Sequence, residues 1–506
     1  MRERIIGLSI ADLVSIQEVY VHKKVNEHGM ARIKGILAEG SEGELFKKAE
    51  GGKASLYIKD EEGNQKNIFS GIIDSLEVEN AGGVKTLRMV LSGSTKLLDC
   101  TKHTRTFQNE AMTYENLLKT VNKGNKQISC IPNCKVANPI KKLIVQYRET
   151  DWEFLKRLAS HFYQPILPGY GGEGIRYSFG LSKDAPKKKL DVYSYSSGNA
   201  KEEFHMKKEN KVPGIVPDDF GFYKVRSRKY LELGERTDFL ARTFFVYESV
   251  SIFDGEELMH TYTLRRAGGF QTVYGHNSGI IGASLDATIL ATKNDTVKVA
   301  VAVDGGQKES EAKWFPYSTV YSSPDGTGWY CMPEKGDKVR LYFPNEFEEE
   351  GYIISSINLG NTGAQSAPEA GGGASGSSAG SAGGAAGGSR NVPGSAAVAN
   401  AAAGGPPRSD PDKKTISTKD GKMVSLTPTN IIMTNGKGMM IILDDAEGII
   451  IVSSSTVVIT AAENMIIKSD GEIDIQATDK IKLVRGDSKL TLTDELKIEG
   501  TKYKMQ

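Results

Sequence analysis

Three short patterns in this 506-residue sequence have spacings that could do chemistry. Gly376-Ser377-Ser378-Ala379-Gly380 matches the G-x-S-x-G of a nucleophile elbow, which needs a strand before the serine and a helix after it. Here it sits inside a run of Gly, Ala and Ser, so the match is read as fortuitous. Gly169-Tyr170-Gly171-Gly172-Glu173-Gly174 matches the G-x-G-x-x-G of a dinucleotide loop, which also needs a strand before and a helix after. It follows a helical pattern and two prolines, Pro165 and Pro168, so it is read as a turn. Cys130 and Cys134 are spaced like metal ligands, but zinc takes four ligands and no second cysteine pair follows. Cys100 and His103 are the candidates to join them in space. Free or loop-closing thiols are the simpler reading, and no metal or cofactor is expected.

The remaining reactive side chains form no constellation. The acidic run Glu346–Glu350 lacks the Asp-x-Asp-x-Asp-Gly pattern of a calcium loop and reads as a solvated hairpin tip. Trp329 and Tyr330 could stack on sugars or bases, but no basic stripe surrounds them, so packing is expected. Seven scattered histidines give no acid–base pair. Lys187-Lys188-Lys189 reads as a solvated face. The net charge of +1 gives no field for nucleic acid or membrane surface. No enzyme activity is expected.

The strongest pattern lies where no reactive groups cluster. Apolar pairs recur every eight residues: Ile441/Leu443, Ile449/Ile451, Val457/Ile459, Met465/Ile467, Ile473/Ile475 and Ile481/Leu483. Spacing of two within each pair is a strand period. The residues between are those of turns and corners. A fixed short period of this kind indicates a β-solenoid or β-helix. One apolar pair per eight residues is too little for a chain to bury alone, so the ribbon is expected to meet copies of itself in a trimeric β-prism. Beyond Leu483 the spacing loosens to Leu490/Leu492 and Leu496/Ile498, and the shaft is expected to reshape there.

Other stretches divide the chain. Residues 1–98 alternate as strands (Ile5–Ile10, Ala54–Ile58, Ile72–Val78, Lys85–Leu91) and read as a small barrel or sandwich. Residues 99–190 are mixed α/β, with a helix expected at Tyr114–Asn122. A second helix opens on the capping box Thr150-Asp151-Trp152-Glu153, with Phe154, Leu155, Leu158, Ala159 and Phe162 on one face. Residues 191–277 return to β patterning, as in Phe244–Val250, and 278–360 form a compact β unit containing Thr296–Ala302, Lys338–Tyr342 and Tyr352–Ile357. Residues 361–412 are rich in Gly, Ala and Ser and read as a flexible linker, and 413–506 hold the octads. The opening segment is a poor signal peptide, because Asp12 interrupts its short apolar run. No apolar stretch is long enough to span a membrane. Synthesis in the cytoplasm is expected, and four cysteines without a framework pattern agree with a reducing compartment.

Three segments, in order, resemble the VgrG spike family of contractile injection systems, which is related to phage tail hub and needle proteins. Tyr147-Arg148-Glu149-Thr150-Asp151-Trp152-Glu153-Phe154-Leu155 is similar to its hub motif before a helix. The stretch from Gly328 and Trp329 through Pro333, Gly336 and Asp337 to Val339 resembles its OB-type barrel motif, with a tight Pro-Glu-x-Gly-Asp turn. The octads resemble its shaft.

The resemblance implies a mainly β protein: two hub β-barrels with a small α/β insertion, an OB-type collar, and a C-terminal trimeric β-helix shaft. It implies a homotrimer that caps the tail tube and pierces the target envelope when the sheath contracts. Tail tube and baseplate proteins would be partners, with effector cargo and a separate PAAR-type tip protein. Some relatives bind iron at the tip through histidines, but no histidine follows His276 here, and Thr501–Gln506 reads as free of any effector domain. The linker occupies the slot where some phage relatives carry a lysozyme. A receptor-binding tail fibre or adhesin is the alternative reading, and a cell-wall hydrolase a more remote one.

Overall fold

Met30–Leu37 alternates inward and outward along its whole length: Ala31, Ile33 and Leu37 are buried, while Arg32 and Lys34 are not. That period places the segment in a half-buried antiparallel sheet. The computed structural model describes residues 5–59, 63–124, 127–324, 327–355, 410–418, 420–493, 495–499 and 501–502. The linker expected at 361–412 lies, up to residue 409, outside the described residues.

Strands Ile5–Leu8, Leu13–Lys24, Met30–Leu37, Lys53–Lys59, Gln65–Ala81 and Val84–Gly93 make the first half of the hub. Strands Lys187–Lys188, Ser194–Asn199, Gly221–Ser227, Arg236–Phe239, Arg242–Phe253 and Leu258–Arg265 make the second. Two hub barrels were expected, one in each half. All of these strands join one 12-stranded sheet. The junction is antiparallel pairing of Leu13–Lys24 with Arg242–Phe253, from Glu248↔Lys24 to Phe253↔Val19. Each half thereby covers an edge of the other, which removes two unpaired edges from solvent. Two main cores persist, one around Leu56, Phe69 and Leu87, the other around Val225, Val246 and Tyr262.

Between the halves lie helices Tyr114–Asn122 and Asp151–Ser160, both where the apolar spacing puts them. Helices Glu42–Ala49 and Lys201–Glu209 are short and highly charged, and their spacing gives no such signal. The capping box is complete: Glu153 N donates to Thr150 Oγ1 (3.1 Å), and Thr150 N donates to Glu153 Oε2 (2.9 Å). The helix then buries Trp152, Phe154, Leu155, Leu158 and Ala159.

Strand Ile144–Thr150, paired with Lys102–Phe107, feeds two cores. Ile144 packs with that helix, whereas Val145 packs into the following β unit. This unit is a five-stranded sheet in the order Trp314–Pro316, Thr296–Val301, Ser284–Lys293, Lys338–Tyr342, Tyr352–Ile354.

The C-terminal region is an antiparallel meander of Lys414–Ser417, Met423–Leu426, Asn430–Thr434, Met440–Asp444 and Gly448–Val452. Its first strand pairs with Gly328–Tyr330 of the preceding unit. The octad strands expected at Val457–Ile475 have no counterpart, since no strand is formed between 453 and 480 among the described residues. Those residues have no neighbouring strand in their own chain to complete a ladder. Strands return as Ile481–Arg485, Ser488–Leu492 and Leu496–Glu499, with the first turn at Gly486 (φ +54°). The octad spacing therefore breaks where a hairpin begins.

Candidate functional site

The hub motif is a joint. Arg105 Nη2 and Gln146 Nε2 each donate to buried Asp151 Oδ1 at 3.0 Å. The Thr150 hydroxyl reaches Asp99. Trp152 is buried, its ring 4.6 Å from that of His28 in the first hub half. Tyr147 packs against the core of the five-stranded unit, and its carbonyl accepts from Asn277 Nδ2 at 2.8 Å.

Six residues beyond Asp151, Arg157 anchors a buried charge cluster that the sequence reading missed. Its guanidinium donates to Glu149 (2.9 and 2.6 Å), to Glu348 (2.6 Å) and to the Val145 carbonyl (2.7 Å). Glu348 also accepts from Val145 N at 2.8 Å. The acidic run was expected to be a solvated tip, but its middle residue is buried and ties the five-stranded unit to the hub. Arg157 falls three residues after Phe154 on the helix face expected to be apolar, and that misplaced charge was the available signal. Burial pushes the Glu348 carboxyl up, and Arg157 only partly offsets this. Asp304 adds a second tie through the amide (2.8 Å) and hydroxyl of Thr106.

The Pro-Glu-x-Gly-Asp segment forms the expected tight turn. Gly336 has φ +99°, a conformation that favours glycine. Its amide donates to the Ile289 carbonyl, and the Asp337 carbonyl accepts from Ile289 N, both at 3.0 Å. Asp337 Oδ2 accepts from Glu334 N (2.9 Å), and the Pro333 carbonyl accepts from the Thr292 hydroxyl (2.9 Å). Tyr330 is packed as expected, but Trp329 is 45% exposed.

Trp329 starts an apolar row. Cross-strand neighbours run Trp329, Ile416, Val424, Met433, Ile441, Ile451 across six strands. A second row on the same face runs Leu426, Ile431, Leu443, Ile449. All but Val424 are more than 40% exposed. The chain's own small core uses the opposite face, namely Ile432, Met440 and Ile442, with Ile450 and Val452 against it. The octad residues Val457, Ile459, Met465, Ile467, Ile473, Ile475 and Leu483 are likewise exposed, and Ile481 is partly so.

The reactive patterns are placed as follows. The G-x-S-x-G match lies outside the described residues. Gly169–Gly174 is a hairpin turn: Gly169 N donates to the Arg176 carbonyl at 2.8 Å, and Gly174 has φ +81°. Burial raises the Cys130 thiol and pushes Cys134 up to about 12, so neither is a thiolate near neutrality.

Two family models match. Residues 41–161 match the phage tail baseplate hub, and residues 287–357 match the type VI secretion system/phage-baseplate injector OB domain. Over these two segments the chain is similar to phage and type VI baseplate proteins. Its hub and OB segments are those of a baseplate hub or spike of a phage or type VI injection system, whose role is structural rather than catalytic. The OB model spans the five-stranded unit that carries the Gly336 turn and Glu348. No curated protein matches this chain.

Similar solved structures include an E. coli type VI secretion component described as resembling bacteriophage T4 tail proteins. It shows 11% identity, coverage of 69% of this chain and 99% of that one, and a TM-score of 0.49. VgrG in a Francisella PdpA–VgrG complex shows 10% identity, 89% and 88% coverage, and a TM-score of 0.47. A prophage tail protein of Shewanella oneidensis shows 11% identity, 53% and 100% coverage, and a TM-score of 0.39. The two family models, not these overlays, carry the assignment.

Proposed function

We propose that this VgrG-like chain works as a homotrimeric spike. In this reading the hub caps the tail tube, the OB unit forms a collar, and residues 413–506 build a three-chain β-prism that pierces the target envelope on sheath contraction. The observation that carries the reading is the open face running from Trp329 to Ile451. A sheet apolar on both faces calls for cover on both, and a single chain covers only one. Burying a Leu or Ile stabilises by roughly 1.5–3 kcal/mol, so this face favours association strongly.

The pairing of Gly328–Tyr330 with Lys414–Ser417 supports a mechanical path from collar to shaft that bypasses residues 356–409. Lys414 Nζ strengthens that splice by donating to the Met332 carbonyl at 2.8 Å. The partners implied are tube and baseplate proteins, effector cargo, and a separate PAAR-type tip protein.

Light scattering on the purified full-length chain tests the central claim. The expected mass is three times that of the chain, and a monomer at assembly concentrations would overturn the reading.

A further inference from the structure

Residues 271–277 lie between the last hub strand, Leu258–Arg265, and the OB unit, and form neither helix nor strand. Irregular backbone must find its hydrogen-bond partners elsewhere. Here they come from the end of helix Asp151–Ser160 and the residues just beyond it. Thr272 N donates to the Tyr163 carbonyl at 3.2 Å, the Thr272 hydroxyl to the Gln164 carbonyl at 3.1 Å, and Gly275 N to the Ser160 hydroxyl at 2.8 Å. Between those bonds the Tyr274 ring lies flat on the imidazole of His161, with centroids 4.8 Å apart and planes inclined by 9°. His276 follows, its ring 4.9 Å from Tyr274 and 5.1 Å from Phe347 of the OB unit. His161 is the post on which the link is seated.

The post can change charge, and its surroundings oppose that change. Tyr114 of the adjoining helix holds its hydroxyl 3.0 Å from His161 Nδ1. Lys142 Nζ donates to the Tyr274 hydroxyl at 2.7 Å, Arg157 lies one turn back on the helix, and His276 adds a second imidazole. The carboxylates of this joint are engaged: Glu149 and Glu348 are held by Arg157, and Glu349 pairs with Lys142 at 3.6 Å. A helix C-terminus by itself favours a cation. Burial of the ring, and then Lys142, Arg157 and His276, outweigh that preference and hold the His161 pKa well below the usual histidine value.

A proton arriving on His161 therefore places a charge beside Lys142 and Arg157 while the carboxylates of the joint are already taken. Swinging Tyr274 aside lets water reach the imidazole. That movement costs the hydrogen bonds of one short irregular segment and leaves the cores of both units intact. We propose that residues 271–277 are an acid-released clamp: taking up a proton on His161 unseats Tyr274 and frees the link between hub and OB unit, while both units stay folded.

Hydrogen–deuterium exchange on the full-length chain at about pH 7.5 and about pH 5.5, corrected for the intrinsic exchange rate, is the test. With a free-imidazole pKa of about 6.5, peptides covering 271–277 should lose about tenfold in protection at the lower pH. They should also exchange at least about tenfold faster than peptides from the hub core around Val225 and the OB core around Val299. His161→Gln and His161→Phe, the second keeping a ring for Tyr274, should each abolish the pH dependence, and His276→Gln should keep it. Equal protection at both pH values, or exchange of the segment only together with the cores, would overturn the proposal. So would a pH dependence that survives both His161 variants or disappears in His276→Gln.

Discussion

The hub and the C-terminal sheet are both antiparallel β, yet they treat their apolar faces and edges in opposite ways. In the hub, Leu13–Lys24 and Arg242–Phe253 pair edge to edge, and the charge of Arg157 is met by two carboxylates and a carbonyl. In the C-terminal sheet, Ile441, Leu443, Ile449 and Ile451 stay uncovered, although Ile442 one residue away is fully buried. A region that satisfies itself can be rigid as a single chain. A region that leaves one apolar face open is, in the proposed reading, completed by other copies of the chain.

The sharpest way to break that contrast is to make the open face polar. Ile441→Asp with Ile451→Asp places carboxylates on neighbouring strands of the central row. Three such chains cannot bury six unpaired charges at one level. The expected outcome is complete loss of the trimer by light scattering, with hub and collar melting unchanged. A trimer that survives would show that copies do not meet on this face.

In the hub, removing one member of a satisfied charge cluster should cost less than abolition but far more than a surface change. Arg157→Met leaves buried Glu348 and half-buried Glu149 without their cation, at a cost of about 3–5 kcal/mol. Denaturant unfolding reads this directly. Adding Glu348→Leu should recover part of the loss, because a well-packed apolar pair replaces a desolvated charge. Failure of the second change to help would mean that the cluster does not act as a unit.

A smaller effect sharpens the same picture through pH. His161 is half-buried, with its Nδ1 3.0 Å from the Tyr114 hydroxyl and its ring stacked on Tyr274. Burial, and then the charges of Lys142 and Arg157 and the neighbouring His276, hold its pKa well below the usual histidine value. A base with a depressed folded pKa favours the fold in its neutral form. Its contribution is therefore complete above the unfolded value of about 6.5 and is lost progressively as pH falls below it. Melting temperature should drop between pH 7.5 and 5.5, and His161→Gln should flatten that drop by an amount worth about 1 kcal/mol. An unchanged pH slope in the variant would assign the drop to other groups, with His28, also depressed by burial, the next to test.

What the sequence made legible follows the same division. Local rules sufficed for the capping box at Thr150, the helix Tyr114–Asn122 and the Gly336 turn, because each depends on residues within a few positions of one another. The seam of the hub did not show. Glu248↔Lys24 joins residues more than two hundred positions apart, and nothing in either strand's alternation names the other. Glu348 was misread for a related reason, since an acidic run looks solvated until an arginine from another element is seen to enter it. The octads announced an apolar face correctly but not its limits. In one chain the ladder stops at Val452, and the residues the chain buries by itself are those of the alternate phase, Met440 and Ile442.

The smallest expected effect concerns the segment between the OB unit and the C-terminal sheet. If force passes through the Gly328–Tyr330 and Lys414–Ser417 ladder, the length of the intervening chain should hardly matter. Removing residues 371–395 cuts it by about half, and halving a flexible connection changes closure entropy by only about 0.6 kcal/mol. The trimer and its melting temperature should therefore survive the deletion. Thr415→Pro, by contrast, puts proline inside the ladder and should uncouple collar from shaft at a cost of several-fold more. Differential scanning calorimetry separates the two cases. A large loss from the deletion, with little from the proline, would move the mechanical path out of the ladder and into the Gly/Ala/Ser segment.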